Sequence, residues 1–196
     1  METVKFKLTG TTPLLMHNGR LADPLDEYAR EIAKISKIRN KTEADHEELA
    51  RLEWTGSLYV KNGKIGVPGN NLRSAIVGPG GSARQSKKGK EAAKALRMSE
   101  FYPMQYNGPG DPAELWKVQE FRHRIGVTVG RGSTVIRTRP IFESWSIEGE
   151  LQYSPDFADR DDVIHWLRVA GTEVGLGDWR PQKYGPYGTF EVEILE

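Results

Sequence analysis

The segment from Gly66 to Arg97 limits the fold more tightly than any other. It runs Gly66-Val67-Pro68-Gly69-Asn70-Asn71-Leu72-Arg73-Ser74-Ala75-Ile76, then Gly78-Pro79-Gly80-Gly81, then a tract with Arg84, Lys87, Lys88, Lys90, Lys94 and Arg97 against the single acid Glu91. The pattern is a strand end, a Pro-Gly turn, a short helix over about Asn71 to Val77 and a basic loop, so a strand must hand over to a helix with almost no linker. Amides at a helix start attract anions, and nearby cations strengthen that attraction. The segment therefore points to a phosphate-bearing partner.

A chain of 196 residues with 37% hydrophobic and 28% charged residues is expected to form one domain with a full core. The net charge of +1 excludes affinity for nucleic acid through overall basicity and leaves only local patches. The absence of cysteine excludes disulfides, thiolate metal sites and cysteine nucleophiles. The start has no apolar run of signal-peptide length and no segment is long enough to span a bilayer, so a cytoplasmic protein without a membrane partner is expected.

Along the chain, Val4, Phe6 and Leu8 alternate with Thr3, Lys5 and Lys7, as in a half-buried strand. Asp23-Pro24 reads as a cap and first position of a helix carrying Tyr28, Ile32 and Ile35 on one face. Thr42 with Asp45 reads as a capping box opening a second helix. Ser57 to Val67 reads as a hairpin around Asn62-Gly63. Gly78 to Gly89 has the composition of a flexible loop, and Glu91 to Met98 regains helix. Leu115 to Val118, Ile125 to Val129 and Thr134 to Ile136 read as strands, Pro140 to Tyr153 as one long strand. Asp161 to Glu173 reads as an amphipathic helix, Thr189 to Leu195 as a last strand.

Stripped of insertions, the order is strand, helix, strand, strand, helix, strand. That order predicts an α+β fold, a ferredoxin-like (RRM-like) four-stranded antiparallel sheet with helices on one face. Residues 1–196 are expected to form a single such domain, with a helical insertion at 22–55 and a flexible basic loop at 78–97.

Val67-Pro68-Gly69-Asn70-Asn71-Leu72-Arg73-Ser74-Ala75 resembles the Pro-Gly-Ser-Ser-Leu-Lys-Gly type motif of the RAMP superfamily, the ferredoxin-like RNA-binding proteins of CRISPR effector complexes. Gly175-Leu176-Gly177-Asp178-Trp179-Arg180-Pro181 through Tyr184-Gly185-Pro186-Tyr187-Gly188 resembles the glycine-rich loop of the same superfamily. The whole chain also resembles a widespread group of phage and prophage proteins. The resemblance implies single-stranded nucleic acid, DNA or RNA, as partner. It implies head-to-tail self-association along the strand, and a host-cell cytoplasmic location if the chain is phage-encoded. The role would be replication, recombination or protection of phage nucleic acid.

The candidate binding residues form three groups. The first is Asn70, Asn71 and Arg73 at the helix start with Arg84, Lys87, Lys88 and Lys90 after it; the competing reading is a capped turn and a solvated loop. The second is Arg122, Arg124, Arg131, Arg137 and Arg139, in a stretch from Phe121 to Phe142 that holds no acid. Arg137 and Arg139 alternate onto one side of an extended segment, where phosphate forks or ion pairs with Glu143, Glu148 or Glu150 compete. The third interleaves Trp179, Arg180, Lys183, Tyr184 and Tyr187, a composition that suits base stacking or packing of Trp179 at a core edge. His17, with Lys5 or Tyr59, is the one catalytic candidate, a general acid-base group of a metal-independent endoribonuclease. A protein-interaction role for the helical hairpin is the third reading. No cofactor, metal cluster or P-loop is signalled, and an enzyme is not the expected class.

Overall fold

Val4, Phe6 and Leu8 are fully buried while the residues between them reach solvent, so the N-terminal alternation folds as a strand with one wet face. A computed structural model describes residues 1–130 and 132–195. Its elements are β1 (Glu2–Gly10), β2 (Leu14–Leu15), α1 (Glu27–Ser36), α2 (Glu43–Ser57), β3 (Val60–Lys61), β4 (Lys64–Pro68), α3 (Gly69–Val77), α4 (Ser82–Gln85), α5 (Gly89–Ala95), β5 (Leu96–Met98), β6 (Phe101–Tyr106), α6 (Pro112–Lys117), β7 (Arg122–Val129), β8 (Ser133–Phe142), β9 (Trp145–Tyr153), α7 (Arg160–Val169) and β10 (Phe190–Leu195). The fold is α+β, with antiparallel sheet and helices. It divides into two compact units: Met1–Leu14, Val60–Asn107 and Glu143–Glu196 form unit 1, and Leu15–Tyr59 with Gly108–Phe142 form unit 2.

Unit 1 is built on a sheet of order β10-β1-β9-β6-β4-β3, with β5 also paired to β9. The pairs are antiparallel, for example Leu8 opposite Ile147 and Met104 opposite Ile147. Val4, Phe6, Leu8, Tyr102, Ile147, Leu151, Tyr153 and Phe190 supply its buried face. The opposite face is open. There Lys5 and Lys7 of β1 lie between Glu148 and Glu150 of β9 on one side and Glu193 of β10 on the other. With exposed Glu191 added, the β10-β1-β9 part of that face carries four glutamates against two lysines.

Unit 2 joins the two long helices to an antiparallel ribbon of β7 and β8. Fully buried Trp54 anchors it, donating from Nε1 to Phe121 O at 2.7 Å and packing its ring 5.5 Å from that of Trp116. The capping box at Thr42 and Asp45 forms as expected and starts α2.

Several expectations need correction. The first long helix starts at Glu27 under the Asp26 cap, because Asp23 is used in a turn that accepts from Leu25 N–H. The hairpin is shorter than 57–67, since α2 runs through Ser57; its turn residues Asn62 and Gly63 do take the left-handed φ values, 51° and 72°, of a type I′ turn. The loop expected over 78–89 carries α4, with Ser82 and Ala83 fully buried; the helix expected over 91–98 forms as α5 but ends at Ala95, where β5 takes over. Leu115 to Val118 is not a strand, because Asp111 caps α6 and Pro112 occupies its first turn. Pro140 to Tyr153 is two strands, interrupted at Glu143-Ser144. The sheet of unit 1 has seven strands, with β5 and β6 unforeseen.

Candidate nucleic-acid interface

The Pro-Gly motif is built by close approach. Gly69 N–H donates to Glu100 O at 2.9 Å, and a Cβ on Gly69 would lie 1.7 Å from Ser99 O. Only glycine lets α3 begin there. Asn70 is exposed at the helix start and Asn71 half-buried. Arg73 points elsewhere than at the helix start: its Nη2 donates to Ala93 O, at the C-terminal end of α5, at 2.9 Å. Arg97 Nη1 donates to Lys94 O and Leu96 O, both at 2.9 Å. Two arginines thus satisfy carbonyls that a helix end leaves open, at the negative pole of its dipole. Arg84 does the same for α3, from Nε to Val77 O at 2.9 Å.

These arginines still line open space. A groove of about 510 Å³ holds Asn70, Arg73, Arg97 and Glu100 on its walls. A second, of about 520 Å³, holds Arg84, Lys87, Lys90 and Glu91. Ala93 of α5 borders both. Five cations thus face two carboxylates, and Glu100 is itself paired with Lys61. Lys87 and Lys90 are exposed and make no ion pair among the described residues. Lys88 is different. Its Nζ bonds both carboxylate oxygens of Asp162, in the first turn of α7, at 2.6 and 2.7 Å, which raises the lysine pKa.

The C-terminal glycine-rich segment, also in unit 1, folds back on itself. Gly185 N–H donates to Arg180 O at 3.0 Å, and Leu176 N–H to Gly188 O at 2.8 Å. Arg180 is held by Gly177 O and by Gln182 Oε1, and Gln182 Nε2 donates to Pro79 O. The loop therefore joins the turn after α3, at the far end of that helix from Asn70. Trp179 and Tyr187 meet edge to face at 5.7 Å, which ties both rings to the loop. Tyr184 is left 99% exposed on left-handed backbone, φ 59°, with exposed Lys183 before it.

In unit 2 the basic stretch is divided between the two faces of the ribbon. The register sets Arg124 opposite Thr138, and Ile125 opposite Arg137, so Arg122 and Arg124 share one face while Arg137 and Arg139 share the other. Arg122 covers the Trp116 ring at 4.1 Å and donates from Nε to Trp116 O at 2.5 Å. Arg124 donates to Thr138 Oγ1 at 3.1 Å. Arg137 is ion-paired with Glu53 at 2.6 Å, in place of Glu143, Glu148 or Glu150. Arg139 is half-buried and Arg131 lies outside the described residues. His17 is exposed, with Nδ1 3.4 Å from Ser57 Oγ, and borders a cavity of about 240 Å³ with Arg137 and Arg139. The Tyr59 hydroxyl donates to the backbone carbonyl of His17 at 3.0 Å.

Sequence reasoning left Arg97 out of the site, although it stands beside Arg73 in the first groove. Its place in the basic tract was the available signal. Among the described residues no group of side chains is arranged to hold a metal ion, and no helix is long and apolar enough to cross a membrane. Comparison with protein-family models and with curated proteins found no match.

Proposed function

We propose that unit 1 binds single-stranded nucleic acid without regard to sequence, as a phage-type relative of the RAMP proteins that assembles along the strand. The observation that carries this reading is the pair of grooves flanking α5, with Arg73 and Arg97 in one and Arg84, Lys87 and Lys90 in the other. The capping arginines are fixed by backbone carbonyls, so their outward N–H groups are pre-positioned for phosphate oxygens. Lys87 and Lys90 supply mobile charge beside them. Tyr184 is the ring that a base can stack on, since Trp179 and Tyr187 pack against each other. The β10-β1-β9 part of the open sheet face, a surface used for RNA in many RRM-like domains, is assigned no part: its glutamates repel phosphate.

A ferredoxin-like reading of unit 1 belongs to the same proposal. β1, then α3 to α5, then β6, β9, α7 and β10 give the βαββαβ order, with β10-β1-β9-β6 as the central antiparallel strands. β3, β4 and β5 are then additions to that core.

Titration of the protein with single-stranded DNA, single-stranded RNA and duplex, each at two salt concentrations, tests the function. Salt-sensitive binding that favours single strands is expected. Absence of salt-sensitive binding to any of the three would sink the reading.

A second reading has one observation in its favour: His17 borders the same cavity as Arg137 and Arg139, so an imidazole and two guanidinium groups face common space. In that reading the chain is a metal-independent endoribonuclease. Structured RNA incubated with protein in chelator decides it; cleavage lost in His17→Ala supports the enzyme, and intact RNA with the wild type excludes it.

A further inference from the structure

The strand order around the β7–β8 ribbon is β2-β8-β7, and Met16 N–H, just after β2, donates to Pro140 O at 3.0 Å; ahead of that pairing part of the outer edge of β8 is open. Thr138 N–H donates to Glu53 Oε2 at 2.9 Å, so Thr138 turns its backbone away from β7. Thr134, Ile136 and Thr138 stand opposite Thr128, Gly126 and Arg124 in an unbroken register. Outward-facing residues alternate along an antiparallel pair, so Ile136 and Thr134 present N–H and C=O on the same side as Thr138. Among the described residues neither makes a backbone hydrogen bond outside the ribbon. A groove of about 880 Å³ lies here, bordered by His46 and Leu49 of α2, by Lys41, and by Arg124, Val135 and Ile136. Val135 and Ile136 belong to opposite faces of the ribbon, so a groove that touches both follows its edge.

We propose that this edge docks an extended acidic segment of a partner protein, which adds as a strand beside β8. The open row of amides and carbonyls at strand spacing is what another strand satisfies. Ile136 is apolar yet 50% exposed, and with Leu49 it offers a seat for an apolar side chain of the incoming strand. The charge of the walls selects acid. Glu53 is neutralised by Arg137, and Lys41 with Arg124 then outweighs Glu43. The edge ends where Glu53 occupies Thr138, which fixes the register of the added strand. This site is lined by residues of unit 2 alone, and the grooves of the proposed function by residues of unit 1 alone.

The test uses the full chain and two synthetic peptides, acetyl-Glu-Val-Glu-Ile-Glu-Val-amide and its counterpart with Lys in place of Glu. Binding is measured by calorimetry, and amide exchange at Thr134 and Ile136 by mass spectrometry or NMR. The acidic peptide is expected to bind and slow both amides, with the lysine peptide at least about tenfold weaker. Ile136→Pro removes an outward N–H without breaking the β7–β8 ladder, and is expected to weaken binding about tenfold. Arg124→Glu keeps the edge and is expected to shift the preference toward the lysine peptide. Failure of the acidic peptide to bind, equal binding of both peptides, or binding without slowed exchange overturns the proposal. Slowed exchange at these amides with a single-stranded oligonucleotide, and not with peptide, also overturns it.

Discussion

Arg137 shows how a cation read as a phosphate ligand serves a different purpose in the folded chain. Its guanidinium neutralises Glu53, which is only 5% exposed and also accepts from Thr138 N–H. Arg137→Ala would leave that carboxylate buried with a single backbone partner, at a cost of about 1.5–3 kcal/mol for a hydrogen bond to a charged group. Thermal unfolding should register a fall in Tm of roughly 4–10 °C. An unchanged Tm would mean that Glu53 finds water instead. Tyr153 gives a pH-dependent counterpart. Its hydroxyl donates to Glu2, and that bond together with burial pushes its pKa from 10.0 up to about 12. The neutral form is favoured by folding, so the stabilisation is complete below pH 10 and lost as pH rises towards 12. Chemical denaturation across that range should show the loss, and Tyr153→Phe should remove this part of it. At this scale the sequence could reveal which residues carry charge but not where each charge is spent. Arg73, Arg84 and Arg97 reach carbonyls at helix ends, and helix ends meet arginines only after tertiary folding.

Local elements were legible where their signals are local. The alternation of β1, the Thr42–Asp45 box and the Asn62-Gly63 turn depend on neighbours within a few residues, and each formed. The Asp-Pro signature was equally local at Asp111-Pro112, yet the apolar residues after it suggested a strand where α6 forms. β6 escaped because Phe101-Tyr102-Pro103-Met104 mixes aromatic residues with a proline, and its pairing with β4 and β9 is non-local. The β4–α3 junction shows the dependence on context most sharply. Gly69 is required by Ser99 O, which arrives from the other side of α5. Gly69→Ala should force the two apart at a cost of about 3 kcal/mol, visible in a urea midpoint. A neutral substitution there would contradict the packing described for the motif.

Across the whole molecule the net charge is close to zero, and the charges sort by location. Glutamates gather on the β10-β1-β9 part of the open face of the unit 1 sheet, while the α3–α5 region of the same unit gathers cations. The basic tract between Arg84 and Arg97 was legible as such a region, and so was its link to a helix start. The exclusion of Lys88, the closing of the C-terminal loop over Pro79 and the division of the ribbon arginines between two faces all depend on pairings distant in sequence. Tyr184→Ala is expected to weaken binding to an ordinary oligonucleotide but not to an abasic strand of equal length, as fluorescence anisotropy can show. Equal losses on both strands would deny the ring a stacking role.

The measurement that tests the account most directly is the salt dependence of single-strand binding for the wild type beside the Lys87→Ala/Lys90→Ala double variant. Both lysines are exposed in the second groove, so their loss should leave folding intact. If each meets one phosphate, the slope of log K against log salt becomes shallower by about 1.4. An identical slope and affinity in the two proteins would show that the polyanion does not pass through the α3–α5 grooves.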